Sequence, residues 1–238
     1  VLTAAALVPS PLILVPELNG ASAGPTEPLR TAAVAAATRL GELADQWTVV
    51  GVGAFEQTVA PESVGTFAGF GVDVRVGLSA DALGDPDPTM PIAALVAGWL
   101  RGQAAPDAVV DVRILAVDSS PIYCADFGAQ LRAELDADDT ARGLLIVADG
   151  ATTLTAKAPG AFHPAAAEFQ DALNRALDQG DCNTLAQLDP VVCLELGAVG
   201  RPALQVLAAV FSDTTPQVTT LYQAAPYGVG YHVGLWVP

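Results

Sequence analysis

The chain has 238 residues, enough for a substantial buried core, and its 52% hydrophobic and 15% charged composition excludes disorder of the whole. Ten Lys and Arg stand against 26 Asp and Glu, a net charge of −16, and the few cations are scattered. That balance excludes nucleic acid and an anionic membrane surface as partners, because both are held through clustered cations.

In chain order, Leu2 to Val8 reads as a buried strand that Pro9 and Pro11 stop. Leu29 to Leu43 reads as a helix, with Leu29, Ala33, Ala36, Leu40 and Leu43 at helical spacing, Thr26 as its cap and Pro28 in its first turn. Trp47 to Val52 is a second buried strand, and Val72 to Val76 a short one before the acidic, proline-rich loop from Asp81 to Pro88. Pro91 to Arg101 reads as helical and Val112 to Val117 as a third buried strand. The next helix places Phe127, Leu131 and Leu135 on one face.

After the acidic turn at Asp136 to Asp139 comes the strand Leu144 to Val147. A loop from Asp149 to Phe162 then leads into a helix with the stripe Ala166, Phe169, Leu173 and Leu177. Helical segments at Asp189 to Leu196 and Arg201 to Phe211 follow, then strands at Val218 to Gln223 and Tyr231 to Val237 around a turn at Pro226-Tyr227-Gly228. Alternating buried strands and helices predict one α/β domain over 1–238, with a central largely parallel or mixed sheet flanked by helices on both faces. Ligands of such folds bind beyond the carboxyl ends of the strands, so the informative residues follow Val8, Val52, Val117 and Val147.

The mean hydropathy of +0.43 raises the question of a membrane span. The apolar runs are cut by Pro9, Pro11 and Pro16 well short of the roughly 20 residues a span needs. No basic n-region opens the chain, so a secretory leader is not expected. Cys124, Cys182 and Cys193 form neither a disulfide framework nor a metal motif, which points to a cytoplasmic protein; a Cys182–Cys193 bridge stays open.

Two pattern matches are weak. Gly20-Ala21-Ser22-Ala23-Gly24 satisfies G-x-S-x-G, but Pro16, Pro25 and Pro28 deny it the strand and helix of a nucleophile elbow. Gly51-Val52-Gly53 begins a dinucleotide fingerprint whose third glycine is replaced by Glu56. Metal chemistry has two histidines to use: His163 reads as a helix-capping or packing residue and His232 as a sheet residue, with Glu56, Asp149 or Glu195 as candidate carboxylates.

Four stretches in order carry a resemblance. They are Ala6 to Glu17 with Pro9-Ser10-Pro11, Ala148-Asp149-Gly150-Ala151-Thr152-Thr153 through Ala158-Pro159-Gly160 to Phe169, Leu188-Asp189-Pro190 through Pro202, and Pro226-Tyr227-Gly228-Val229-Gly230-Tyr231. Together the set resembles the LigB-like superfamily, the catalytic-subunit fold of class III extradiol ring-cleavage dioxygenases. The resemblance implies an iron(II) site, but the family's two metal histidines fall on Ser10 and near Ala54, its acid–base histidine on Thr152 and its late ligand near Ala198. Ala54 offers no donor atom, the Ser10 hydroxyl is a poor iron ligand, and Thr152 cannot shuttle a proton near neutral pH.

The resemblance therefore implies a pseudoenzyme without cofactor or metal. Its remnant cleft, formed by Ser10, Ala54, Glu56, Asp149, Thr152, Thr153, His163, Ala198 and Tyr227, is expected to bind a small molecule or a partner protein. Two alternatives are a dioxygenase with ligands relocated to His163, His232 and a carboxylate, and a metal-free hydrolase using Ser10 or Ser22. The first needs the two imidazoles within ~5 Å of each other. The second needs a histidine within about 3 Å of the serine hydroxyl. The composition also allows a homodimer.

Overall fold

The computed structural model describes residues 1–19 and 24–238, so Ser22 and the G-x-S-x-G match lie outside the described residues. The strands are β1 (Leu2–Val8), β2 (Gln46–Gly53), β3 (Gln57–Val59), β4 (Val64–Thr66), β5 (Arg75–Gly77), β6 (Val109–Ala116), β7 (Arg142–Val147), β8 (Gln217–Ala224) and β9 (Tyr231–Val237). The helices are α1 (Glu27–Leu43), α2 (Ile92–Ala104), α3 (Pro121–Leu135), α4 (Ala166–Gln179), α5 (Cys182–Ala186), α6 (Pro190–Glu195) and α7 (Arg201–Val210).

Seven strands make one mixed sheet in the order β3-β6-β2-β7-β1-β9-β8, and β4 pairs with β5 in a separate ribbon. The neighbours β6, β2, β7 and β1 are parallel, so the ends of all four point to one edge of the sheet. The antiparallel strands β3 on one side, and β9 with β8 on the other, flank this parallel centre.

Both faces of the sheet are covered, as the near-continuous apolar strands require. Ala4, Ala6 and Val8 of β1 pack towards α1 and α2, with Leu29, Ala33, Ala36, Leu40 and Trp47 in the same core. The alternate residues Ala5 and Leu7 face the second core, which holds Leu131 of α3, Leu173 and Leu177 of α4, Leu204 and Leu207 of α7, and Trp236. In this core Phe211 meets Trp236 edge to face, with ring centroids 5.4 Å apart. Small residues let the layers approach closely: a methyl on Gly51 of β2 would overlap Ala93 of α2.

Two local expectations are corrected. Thr26 precedes α1 but its side chain makes no capping bond; its hydroxyl accepts from Asn19 Nδ2 of the preceding turn and from Arg30 of α1, both at 3.4 Å. The strand read over Val72–Val76 begins at Arg75, because Val74 closes a tight turn on Val72 while its carbonyl accepts from Phe67 N. No helix among the described residues is long and apolar enough to cross a membrane.

Candidate functional site

β1 and β7 run side by side, with Val8 opposite Val147, so the residues that follow them emerge together at the carboxyl edge. There Ser10 and Asp149 meet. The Ser10 amide donates to Asp149 Oδ1 at 2.9 Å and its hydroxyl donates to Oδ2 of the same carboxylate. Burial raises the Asp149 pKa, and the two Ser10 bonds offset this only in part. The neighbouring Tyr231 hydroxyl is also raised, by burial first and then by the charges of Asp149, Tyr222 and Tyr227.

The loop beyond Asp149 is packed from three sides. Gly150 N donates to Gly230 O at 2.8 Å and Gly230 N donates to Ala151 O at 2.9 Å, joining the loop to the turn before β9. Buried Gln170 of α4 lies against this pair, its Oε1 accepting from Ala151 N at 2.8 Å and its Nε2 donating to Asn174. A methyl on either Gly150 or Gly230 would overlap the Gln170 amide. The Leu196 carbonyl accepts from Thr152 N and from the buried Thr153 hydroxyl, both at 3.0 Å. These contacts tie the loop to α4, to Leu196 and to the turn before β9.

The other expected residues take different places. Ala54 is exposed at the end of β2, and Ala198 is buried just before α7. Glu56 accepts from the Tyr123 hydroxyl of α3 at 2.7 Å, which helps push the Tyr123 pKa up to about 12. Tyr227 is exposed in the turn before β9. His163 precedes α4 and its Nδ1 accepts from Ala165 N at 3.2 Å, but α4 itself, with Ala165 at its N-cap, has no side-chain capping bond. His232 lies at the far end of that helix, with Nδ1 4.0 Å from Asp178 Oδ1.

That geometry does not bring the relocated iron site together. About 18 Å of helix separates the surroundings of the two histidines, against the ~5 Å the relocated site needs. Ser10 is engaged by Asp149, and Ala54 and Ala198 carry no donor atom. No group of three or more His, Cys, Asp or Glu suited to a metal ion occurs among the described residues. The hydrolase alternative fares no better at Ser10, whose hydroxyl partner is a carboxylate where the reading requires an imidazole.

The exposed side chains on the strand-end segments are largely apolar. Phe55 is 74% exposed after β2, and Ile122 is 76% exposed beside Tyr123 at the start of α3. Phe162 projects from the loop after β7, and Val191, Val192 and Leu194 from α6, with Val199 just beyond and Tyr227 before β9. Of the sixteen large apolar side chains exposed among the described residues, these nine all occupy the strand-end segments. Hydrogen bonds link those segments: Tyr123 to Glu56, Arg201 to Val117 O and Ser119 O, Thr152 to Leu196, and Leu154 to Gly228.

Sequence reading missed Gln170 and these exposed side chains. Both left a signal. Gln170 is a polar residue inside the apolar stripe that runs from Ala166 to Leu173, and the run Pro190-Val191-Val192-Cys193-Leu194 is apolar all round a helix too short to bury it.

No sequence family matches the chain, and no curated protein matches it in sequence. Among solved structures, it is similar to an uncharacterized protein, JW3007, from Escherichia coli K12. The TM-score is 0.55 at 13% identity, over 99% of this chain and 100% of that one. At that identity the likeness shows the α/β fold alone.

Proposed function

We propose that the chain is a non-catalytic binding protein, a divergent relative of the class III extradiol dioxygenases that docks a partner at the rim of the old cleft and keeps no resident iron. The observation that carries this reading is the concentration of exposed Phe55, Ile122, Phe162, Val191 and Leu194 on the strand-end segments, the segments that also hold the Ser10–Asp149 pair and the loop bound by Gln170. A contiguous exposed apolar surface costs solubility unless something covers it, and in stable proteins it marks a binding site. Ring-opening chemistry needs metal ligands and a proton shuttle, and the matching positions hold serine, alanine and threonine. A partner protein suits such a spread of apolar side chains better than a small molecule does. Three free thiols suit a reducing cytoplasm.

The test is binding of a solvatochromic apolar dye to the full chain and to variants Ile122→Asp and Leu194→Asp, with circular dichroism to verify folding. Dye binding that falls at least several-fold in both folded variants supports the reading. Dye binding indifferent to both, or iron-dependent oxygen uptake on catechols by the wild type, contradicts it.

A further inference from the structure

The apolar rim is bordered by carboxylates. Glu56, Asp118, Asp126, Asp189 and Glu195 are all exposed on the strand-end segments, between or next to the apolar side chains. Asp118, Asp126 and Glu195 form no salt bridge among the described residues. Three cations lie on the strand-end segments, and one of them, Arg30 of α1, is bonded to Ile13 O and Leu14 O and paired with Glu27 at 2.8 Å. Lys157 is exposed; Arg201 is buried, its guanidinium donating to Gln205 Oε1, Val117 O and Ser119 O, and so is spent inside the fold. The other arginines occupy different parts of the chain, several on the strands and helices near the opposite edge, such as Arg101, Arg132 and Arg142.

We infer that the occupant of the rim is a cationic amphipathic segment of a partner protein, with its apolar face on Ile122 and Leu194 and its Lys or Arg residues on Asp118, Asp126 and Glu195. This rests on the binding function proposed above and names its partner class. Charge complementarity selects the occupant: apolar contact supplies affinity, and the unpaired carboxylates steer and align an opposite charge. The ends of β2, β7, β1 and β9 span roughly 15 Å at the usual strand spacing, wide enough for one helix or strand of a partner. A second copy of the chain would set two acidic borders against each other, and an anionic lipid surface would be repelled in the same way.

The test uses the full chain and two fluorescent peptides of about 18 residues, one patterned from Leu and Lys and the other from Leu and Glu, read by anisotropy. The Leu/Lys peptide binds and the Leu/Glu peptide does not. The double variant D118N/E195Q and the single variant L194D each weaken binding about tenfold, and raising NaCl from about 20 to about 200 mM weakens it further. Leu83→Asp, at a residue 85% exposed in a separate loop, changes nothing.

Equal binding of the two peptides, or equal losses in L83D and L194D, overturns the inference. A stable wild-type dimer in sedimentation that L194D dissociates also overturns it, while leaving the rim a binding surface. Rim substitutions without effect on peptides, dye or association sink both readings together.

Discussion

Ser10 and Asp149 join the ends of two adjacent parallel strands, with the amide and the hydroxyl of the serine both donating to one carboxylate. In the proposed ancestry, the position of a metal ligand now holds a residue bonded to its neighbour within the fold. The pair consumes the donors that would otherwise face a ligand, and it fixes the loop on which Gly150 to Thr153 are packed.

The carboxylate is costly to keep charged there, because its pKa is raised by burial and no cation lies against it. A raised folded pKa means that the contribution to stability is present below the unfolded carboxylate pKa and lost as pH rises through the folded one. Asp149→Asn, which keeps an acceptor for the Ser10 amide, is therefore neutral or stabilising by about 1 kcal/mol at pH 7. Asp149→Ala leaves that amide unpaired and costs about 1–3 kcal/mol. Urea unfolding of the three proteins measures both, and the advantage of the Asn variant over wild type grows with pH.

His232 predicts the opposite pH trend. It is buried with both ring nitrogens unpartnered, and burial lowers its pKa to about 4, with Asp178 of α4 offsetting this in part. The unfolded chain binds this proton near pH 6.5 and the folded chain does not, so stability falls as pH drops from about 6.5 to about 4. The contribution lost is on the order of 3 kcal/mol. The check is the slope of unfolding free energy against pH in that window, which His232→Leu flattens.

Gln170 and Gly230 form a testable pair. Gly230→Ala overlaps the Gln170 amide and destabilises by about 1–3 kcal/mol. Gln170→Ala strands the Ala151 amide at a similar cost. The double variant removes the overlap as well as the bond, so its loss is smaller than the sum of the two. Thermal or urea unfolding of the four proteins measures the coupling, and simple additivity would mean the two residues do not interact.

The cysteines are free, and they differ in access. Cys124 and Cys193 are buried, with the Cys193 thiol pushed up to about 11 by burial, while Cys182 is half-buried at the start of α5. Titration of the native chain with an aromatic disulfide reagent labels Cys182 first. The other two react on unfolding, since the thiolate is the reactive form and must be reached by solvent.

Much of this fold was legible in the sequence because burial on both faces writes itself as continuous apolar runs. Leu2–Val8 and Tyr231–Val237 are strands with the ends the sequence reading gives, and the stripes of α1, α3 and α4 mark their buried faces except at Leu43, which is exposed. The short strands β3 and β4 were missed, since three residues are too few to show a period, and so was α5, although Asp181 caps it through Thr184 N. Motif order pointed to Ser10, Asp149, Thr152 and Thr153, of which the structure joins Ser10 to Asp149 and both threonines to Leu196. The rim escaped notice because it is assembled from exposed residues of six separate segments, and a linear pattern registers periodicity, not surface adjacency.

The most direct test of the account is the metal content of the purified full chain, by elemental analysis after anaerobic incubation with iron(II) and desalting. The account predicts no retained iron, because Ser10 is held by Asp149 and neither Ala54 nor Ala198 can ligate. Near-stoichiometric iron that survives desalting would contradict it, and would mean that the cleft still holds a metal through residues other than these.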